Sequence, residues 1–199
     1  MNIKDEILVI HKVFESISNK VVSETDDRII KTFKISDLPN HKDFTIDVNT
    51  HANSRNIFTE LDKIKCDCLY WFDLKTVEQA KELNSLLNKY RETNIKGTES
   101  YRSVPATNKN DNSNVLYVGI RRGGYTKKWN LTNITGRINQ HLGYYHNGNT
   151  QGLQLIHFAK DCDFDITINV IKIESSNSIY LNIIEKIVAQ KLKPLCGRH

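Results

Sequence analysis

Asn114 to Arg122, reading NVLYVGIRR, is the stretch on which the fold turns. Leu116, Val118 and Ile120 alternate with Tyr117 and Gly119, which predicts a strand with one apolar face and Tyr117 on the other. A Tyr beside a Gly on a sheet face leaves room for a ligand or a backbone to come close; the alternative is a half-buried structural tyrosine. Gly123-Gly124 then turns the chain.

The neighbouring segments extend this reading in both directions. Upstream, Cys66 to Leu74 (CDCLYWFDL) is an apolar, aromatic run that predicts a buried strand, with Tyr70 on the face shared by Cys68 and Phe72. Thr76 starts a helix with Gln79 as capping partner, and Val77, Ala80, Leu83, Leu86, Leu87 and Tyr90 form its apolar stripe. Residues 106–114 are a polar loop. Downstream, a short helix runs from about Asn133 to Leu142, with Ile134, Ile138 and Leu142 aligned and Gly143 as its stop. In Phe164 to Ile173, Phe164, Ile166, Ile168 and Val170 alternate with Asp165, Thr167 and Asn169, again a strand. Ser178 caps a final helix, Ile179 to Leu192, that Pro194 ends. Nearer the N-terminus, Ile7, Ile10, Phe14 and Ile17 mark an amphipathic helix from Ile3 to Val22, and Arg28 to Asn49 predicts short strands around a turn at Pro39.

Composition sets the class. The chain has 199 residues, 39% hydrophobic and 26% charged, which excludes wholesale disorder, collagen and repeat arrays. No apolar run reaches the ~18 residues of a membrane span, and Lys4, Asp5 and Glu6 interrupt any signal peptide. Four irregularly placed Cys make no disulfide framework, so a reducing, cytoplasmic setting is expected. The net charge of +5 is uneven: residues 1–60 carry −2, residues 61–113 +1, and residues 114–199 +6. No acid lies between Asp111 and Asp161, a stretch holding Arg121, Arg122, Lys127, Lys128, Arg137 and Lys160. Such one-signed charge is the footprint of a phosphate-binding surface, or of a merely solvated basic face.

Three residues invite chemistry. Arg137 and His141 are four apart on the short helix, each one position before a core residue, at the rim of the buried stripe. There an Arg can grip a phosphate bidentately while the His stands by as donor or base; two solvated side chains are the alternative. Glu185 falls on the line Leu181, Glu185, Val188, Leu192, where a carboxylate needs either a cationic side chain such as Arg137 or a metal such as Mg²⁺. Cys66 and Cys68 point to opposite faces of a strand, and Cys162 and Cys196 lack ligand spacing, so zinc is rejected. The Asp161, Asp163, Asp165 alternation lacks the Gly and Glu of a calcium loop.

Taken in order, these residues resemble the GIY-YIG nuclease domain. A strand bearing a first Tyr (Leu69-Tyr70-Trp71) precedes one reading Tyr117-Val118-Gly119; a helix follows with Arg137 and His141, then a third strand and a helix bearing Glu185. The resemblance covers about residues 66–199. The first motif has Cys68 and Leu69 where Gly and Ile are usual, 46 residues separate the two tyrosines, and no Asn follows Pro194. It implies an α/β (α+β) fold: a small three-stranded, mainly antiparallel sheet flanked by helices. Residues 1–60 then form an N-terminal α/β extension, accessory or DNA-contacting, and 61–199 the nuclease domain, with an insertion at about 75–113. Strand–helix–strand would otherwise suggest a parallel pair, so antiparallel pairing rests on the resemblance.

The activity implied is metal-dependent endonuclease cleavage of DNA, of a restriction or homing type. Glu185 would hold one Mg²⁺ (or Mn²⁺), Tyr117 accept a proton from the attacking water, and Arg137 stabilise charge on the phosphate. Tyr70 would orient that water, and His141 contact the phosphate or relay the proton. Arg121, Arg122, Lys127 and Lys128 would neutralise flanking phosphates, and a homodimer would serve double-strand cleavage. The alternatives are a non-catalytic nucleic-acid-binding protein of the same fold, and an unrelated α/β protein whose basic stretch binds an anionic metabolite or a protein.

Overall fold

The computed structural model describes residues 2–24, 26–40, 52–98, 101–125, 131–144, 150–174 and 178–198. The elements run α1 (Ile3–Ser23), β1 (Arg28–Lys34), α2 (Ala52–Leu61), β2 (Asp67–Leu74), α3 (Val77–Thr93), β3 (Val115–Arg121), α4 (Asn133–Leu142), β4 (Asp165–Ile173) and α5 (Ser178–Leu192), with short 3-10 turns at Ile35–Asp37 and Leu155–His157. The mixed α+β class is as expected, but the sheet has four strands, not three, in the order β1-β4-β2-β3. The fourth comes from the N-terminal segment: β1 pairs antiparallel with β4 from Arg28↔Ile171 to Lys34↔Asp165. Arg28–Lys34 therefore completes the same sheet, and Phe33 of β1 enters its core. The strand expected around Phe44 to Val48 lies outside the described residues.

β2 and β3 are antiparallel although a helix joins them. Residues 94–114 carry the chain back from the end of α3, so β3 starts where β2 ends. Leu74 N–H donates to Asn114 O at 2.9 Å, and Asn114 Nδ2 donates to Leu74 O at 2.8 Å. A register shift falls opposite Phe72 and Asp73, which pair with Tyr117 and Val115. Leu116 is the extra residue of that bulge, and it joins the core on the side of Tyr117 rather than the side of Val118.

Each sheet face buries its own helices. Tyr70, Phe72, Ile166, Ile168 and Val170 pack with Phe58 and Leu61 of α2, Leu83 and Leu87 of α3, and Ile134, Ile138 and Leu142 of α4. Leu69, Trp71 and Val118 pack on the other face with Val188 and Ala189 of α5, against which α1 lays its C-terminal half. The helix ends follow local chemistry. Thr76 Oγ1 accepts from Gln79 N–H at 3.2 Å, and Asn2 and Asp5 form a reciprocal capping box on α1. Gly143, at φ +107°, stops α4. Among the described residues no helix is long and apolar enough to cross a membrane.

Candidate active site

β3 and α4 are tied together before any functional side chain is considered. Thr132, the residue before α4, donates its hydroxyl to Leu61 O at 3.1 Å and its N–H to Asp62 Oδ1 at 2.9 Å. Asn133 Nδ2 donates to Gly123 O at 2.7 Å, fixing the helix start to the turn after β3. The segment after α4 returns over it, with Leu153 and Leu155 fully buried. α4 is consequently buried on almost every side, with Thr135, Gly136, Asn139, Gln140 and His141 all inside along with its apolar stripe.

That burial changes the reading of His141. It is 0% exposed, not at a rim, because its ring packs against Tyr70, Phe72 and Tyr117 of the sheet while the Leu153 amide meets its other nitrogen. Leu153 N–H donates to its Nδ1 at 3.1 Å, and Nε2 lies 3.0 Å from the Tyr70 hydroxyl. Burial, and then the charge of Arg137, hold its pKa well below the ordinary histidine value, so the ring is neutral. With Nδ1 accepting, the proton sits on Nε2, and His141 donates to Tyr70. Both nitrogens are engaged inside the protein, which corrects the expected rim position of His141 to a sealed one.

Arg137 is the hub. Nε donates to Tyr70 Oη at 2.8 Å and Nη2 to Tyr117 Oη at 3.1 Å. Nη1 donates to Gln140 Oε1 at 2.8 Å and Gln151 O at 2.6 Å. Gln140 is itself held, giving Nε2–H to Thr150 O at 2.7 Å. Burial works against the guanidinium charge, but the two tyrosines more than offset it and raise the pKa, so Arg137 is a fixed cation. Four bonds use most of the five N–H groups of a guanidinium, so a bidentate grip on phosphate is not its arrangement here.

The tyrosines meet through Gly119. Tyr70 pairs with Gly119 across the β2–β3 ladder, and a Cβ on Gly119 would stand 2.6 Å from Tyr70 Oη and 2.8 Å from Tyr117 Cε1. The space beside Tyr117 is thus filled by Tyr70, not left for a ligand. The two rings stack at 6.2 Å, and Tyr117 lies 4.7 Å from the His141 ring. Tyr70 is fully buried, whereas Tyr117 stays partly exposed. Burial, with the neighbouring Tyr70 next in weight, pushes the Tyr117 pKa upward, and Arg137 acts against that push.

Glu185, on α5 with Leu181 and Val188 buried beside it, is half-buried. Burial raises its pKa, Arg137 lowers it in part, and its charge is felt in turn at Tyr117. The described residues hold no group of three His, Cys, Asp or Glu able to share a metal ion. A cation here would have one protein carboxylate and complete its shell with water and substrate oxygens. That donor set fits Mg²⁺ or Mn²⁺ and not a structural zinc.

Of the expected phosphate neutralisers, Arg121 is partly buried at the end of β3 and Arg122 is exposed. Lys127 and Lys128 lie outside the described residues. Sequence reasoning missed Gln140, Gln151 and the Leu153 amide. Gln140 carried a signal, being three residues from Arg137 on one helix; the others act through backbone groups that no residue type announces. No family model matches the chain, and no curated protein or solved structure matches it either.

Proposed function

We propose that the chain is a metal-dependent DNA endonuclease with a GIY-YIG-like site. The observation that supports this reading best is the meeting of Tyr70, Tyr117 and Arg137 in one hydrogen-bonded cluster that Glu185 feels electrostatically. These residues come from β2, β3, α4 and α5, and cores seldom gather so many ionisable groups without a use for them. Glu185 would hold a hard divalent cation, which when bound supplies Lewis-acid charge to the scissile phosphate.

The remaining steps belong to the chain's own groups. Tyr117, the partly exposed tyrosine, would act as base once its own proton has left to solvent, its phenolate taking the proton of the attacking water. Arg137 stabilises that phenolate through Nη2–H before the transfer and presents fixed positive charge to the phosphate. Tyr70 and His141 hold the guanidinium in place from inside. Arg121 and Arg122, with Lys127 and Lys128, neutralise flanking phosphates, which makes binding fall steeply with salt.

One observation favours a binding-only reading: burial pushes both Tyr117 and Glu185 toward their protonated forms. Incubation with plasmid and bacteriophage DNA in Mg²⁺ separates the two. Cleavage by the wild type that disappears with EDTA, and falls at least about a thousandfold in Glu185→Ala, supports the nuclease. Retention of DNA in a gel shift without cleavage of any substrate leaves only a binding protein.

A further inference from the structure

The Asn-rich segment 106–114 carries no part of the proposed site, yet the fold pins it side chain by side chain to the end of α5. Asn108 Nδ2 and Asn110 Nδ2 both donate to Pro194 O, at 3.0 and 2.9 Å, and Ser113 Oγ donates to Leu192 O at 2.8 Å. Each Asn keeps its carbonyl oxygen and a second N–H to offer, and both are only partly buried. They and Pro194 share a groove of about 470 Å³ with Lys186, Ala189 and Gln190 of α5, a volume in the range of small-ligand sites. Three carboxamides and one ammonium line it. The two segments that frame it, residues 106–114 and 186–194, hold Lys109, Lys186, Lys191 and Lys193 against the single acid Asp111. The groove adjoins the proposed site. Ala189 lies one turn beyond Glu185 on the same side of α5, roughly 6 Å along the axis. Lys186 is near enough to act on the Glu185 charge, and Cys196, two residues past Pro194, forms a bridge with Tyr117.

We propose that this groove is a nucleotide subsite, in which Asn108, Asn110 and Gln190 read one base of the bound DNA and Lys186 holds the adjoining phosphate. The inference rests on the nuclease reading and adds the place where the strand is read. Successive nucleotides advance about 3.4 Å along a duplex strand, so a phosphate at Glu185 brings the nucleotide about two steps away to the groove. A carboxamide presents a donor and an acceptor side by side, the pattern complementary to N6 and N7 of adenine, which makes adenine the favoured base. Two of the three amides are already fixed on Pro194 O, so less rotamer freedom is lost when the strand arrives. Lys186 is a point charge at the end of a flexible stem, which suits a phosphate and selects no base.

The test is selection by the full chain from randomised DNA duplexes of about 20 base pairs, two helical turns, in EDTA, with the bound pool sequenced. The wild type should enrich adenine at one position about tenfold or more. Gln190→Ala, an exposed position on α5 whose change leaves the fold intact, should lose most of that preference, as should Asn108→Ala with Asn110→Ala. Lys186→Ala should instead weaken binding of every duplex alike and lower the salt slope by about 1, whereas Lys81→Ala, exposed on α3, should do neither. A bound pool with no base preference overturns the subsite. So does a preference that survives all three amide changes, or Lys186→Ala behaving as Lys81→Ala. Binding in EDTA is read without cleavage, so a chain that shows the groove-dependent preference but never cuts DNA in Mg²⁺ supports the subsite and overturns the nuclease reading. A chain that binds no DNA, with EDTA or with Mg²⁺, overturns both.

Discussion

Tyr70 and Tyr117 stand on adjacent strands, face the same way and accept hydrogen bonds from the same guanidinium, yet one is sealed and the other is partly exposed. Tyr70 sits on an inner strand of the sheet, roofed by α4 and by the segment that returns over it. Tyr117 is on the edge strand, beside α5 and Glu185. The difference divides the polar cluster into a buried frame and a partly exposed edge. His141, Tyr70 and Gln140 fix where Arg137 points; Tyr117, Arg137 and Glu185 are the members that keep partial exposure. A residue's motif position says that it belongs to the cluster, and its burial says which half.

The sharpest way to break this division is to remove each hydroxyl in turn. Tyr117→Phe should lower cleavage at least about a hundredfold with little change in stability, while Tyr70→Phe should lower it roughly tenfold or less and reduce the melting temperature. Equal losses of activity from the two, in single-turnover assays, would erase the distinction. A smaller effect in energy belongs to the frame itself. His141→Ala leaves the buried Leu153 N–H without its acceptor and opens a cavity, at a cost of about 2–4 kcal/mol in urea unfolding. A cost near zero would place His141 outside the frame.

Gly119→Ala probes the close approach of the two rings. Its methyl would meet the Tyr70 hydroxyl and the Tyr117 ring, both side-chain atoms that can shift a little, so about 1–3 kcal/mol is expected. The accompanying loss of cleavage should exceed that of a stability-matched core variant such as Ile168→Val. The smallest effect is the pH slope from His141. Its folded pKa is depressed, so the unfolded chain binds the proton first as pH falls below about 6.5, and stability declines toward the folded value by up to about 1.4 kcal/mol per unit. Urea midpoints between neutral and mildly acid pH should show this decline, and His141→Gln should flatten it.

Much of the fold was legible because its signals are local. The alternation in Phe164 to Ile173, the stripe of α3, the Thr76 cap and the Gly143 stop each lie within a few residues of what they specify. The strand count was not, because whether Arg28–Lys34 joins the sheet depends on a partner more than a hundred residues away. Nor was the Leu116 bulge, since an alternating pattern reads through an extra residue without a break. For the site, sequence order named Tyr70, Tyr117, Arg137 and Glu185 as candidates. It placed His141 at a rim, because a helix shows its apolar stripe in sequence but not that the rings of Tyr70, Phe72 and Tyr117 on two distant strands close over the next position.

What the sequence determined by itself was therefore the set of elements, the uneven charge and the residues with chemistry to offer, all consequences of short-range periodicity and composition. Tertiary structure alone decided that β1 completes the sheet and that His141 is a neutral donor locked by a backbone amide. It also decided that four fixed bonds aim Arg137, and that Glu185 lies within reach of Tyr117's field. Those facts depend on dielectric surroundings and on backbone groups, and neither is written in the identity of any single residue.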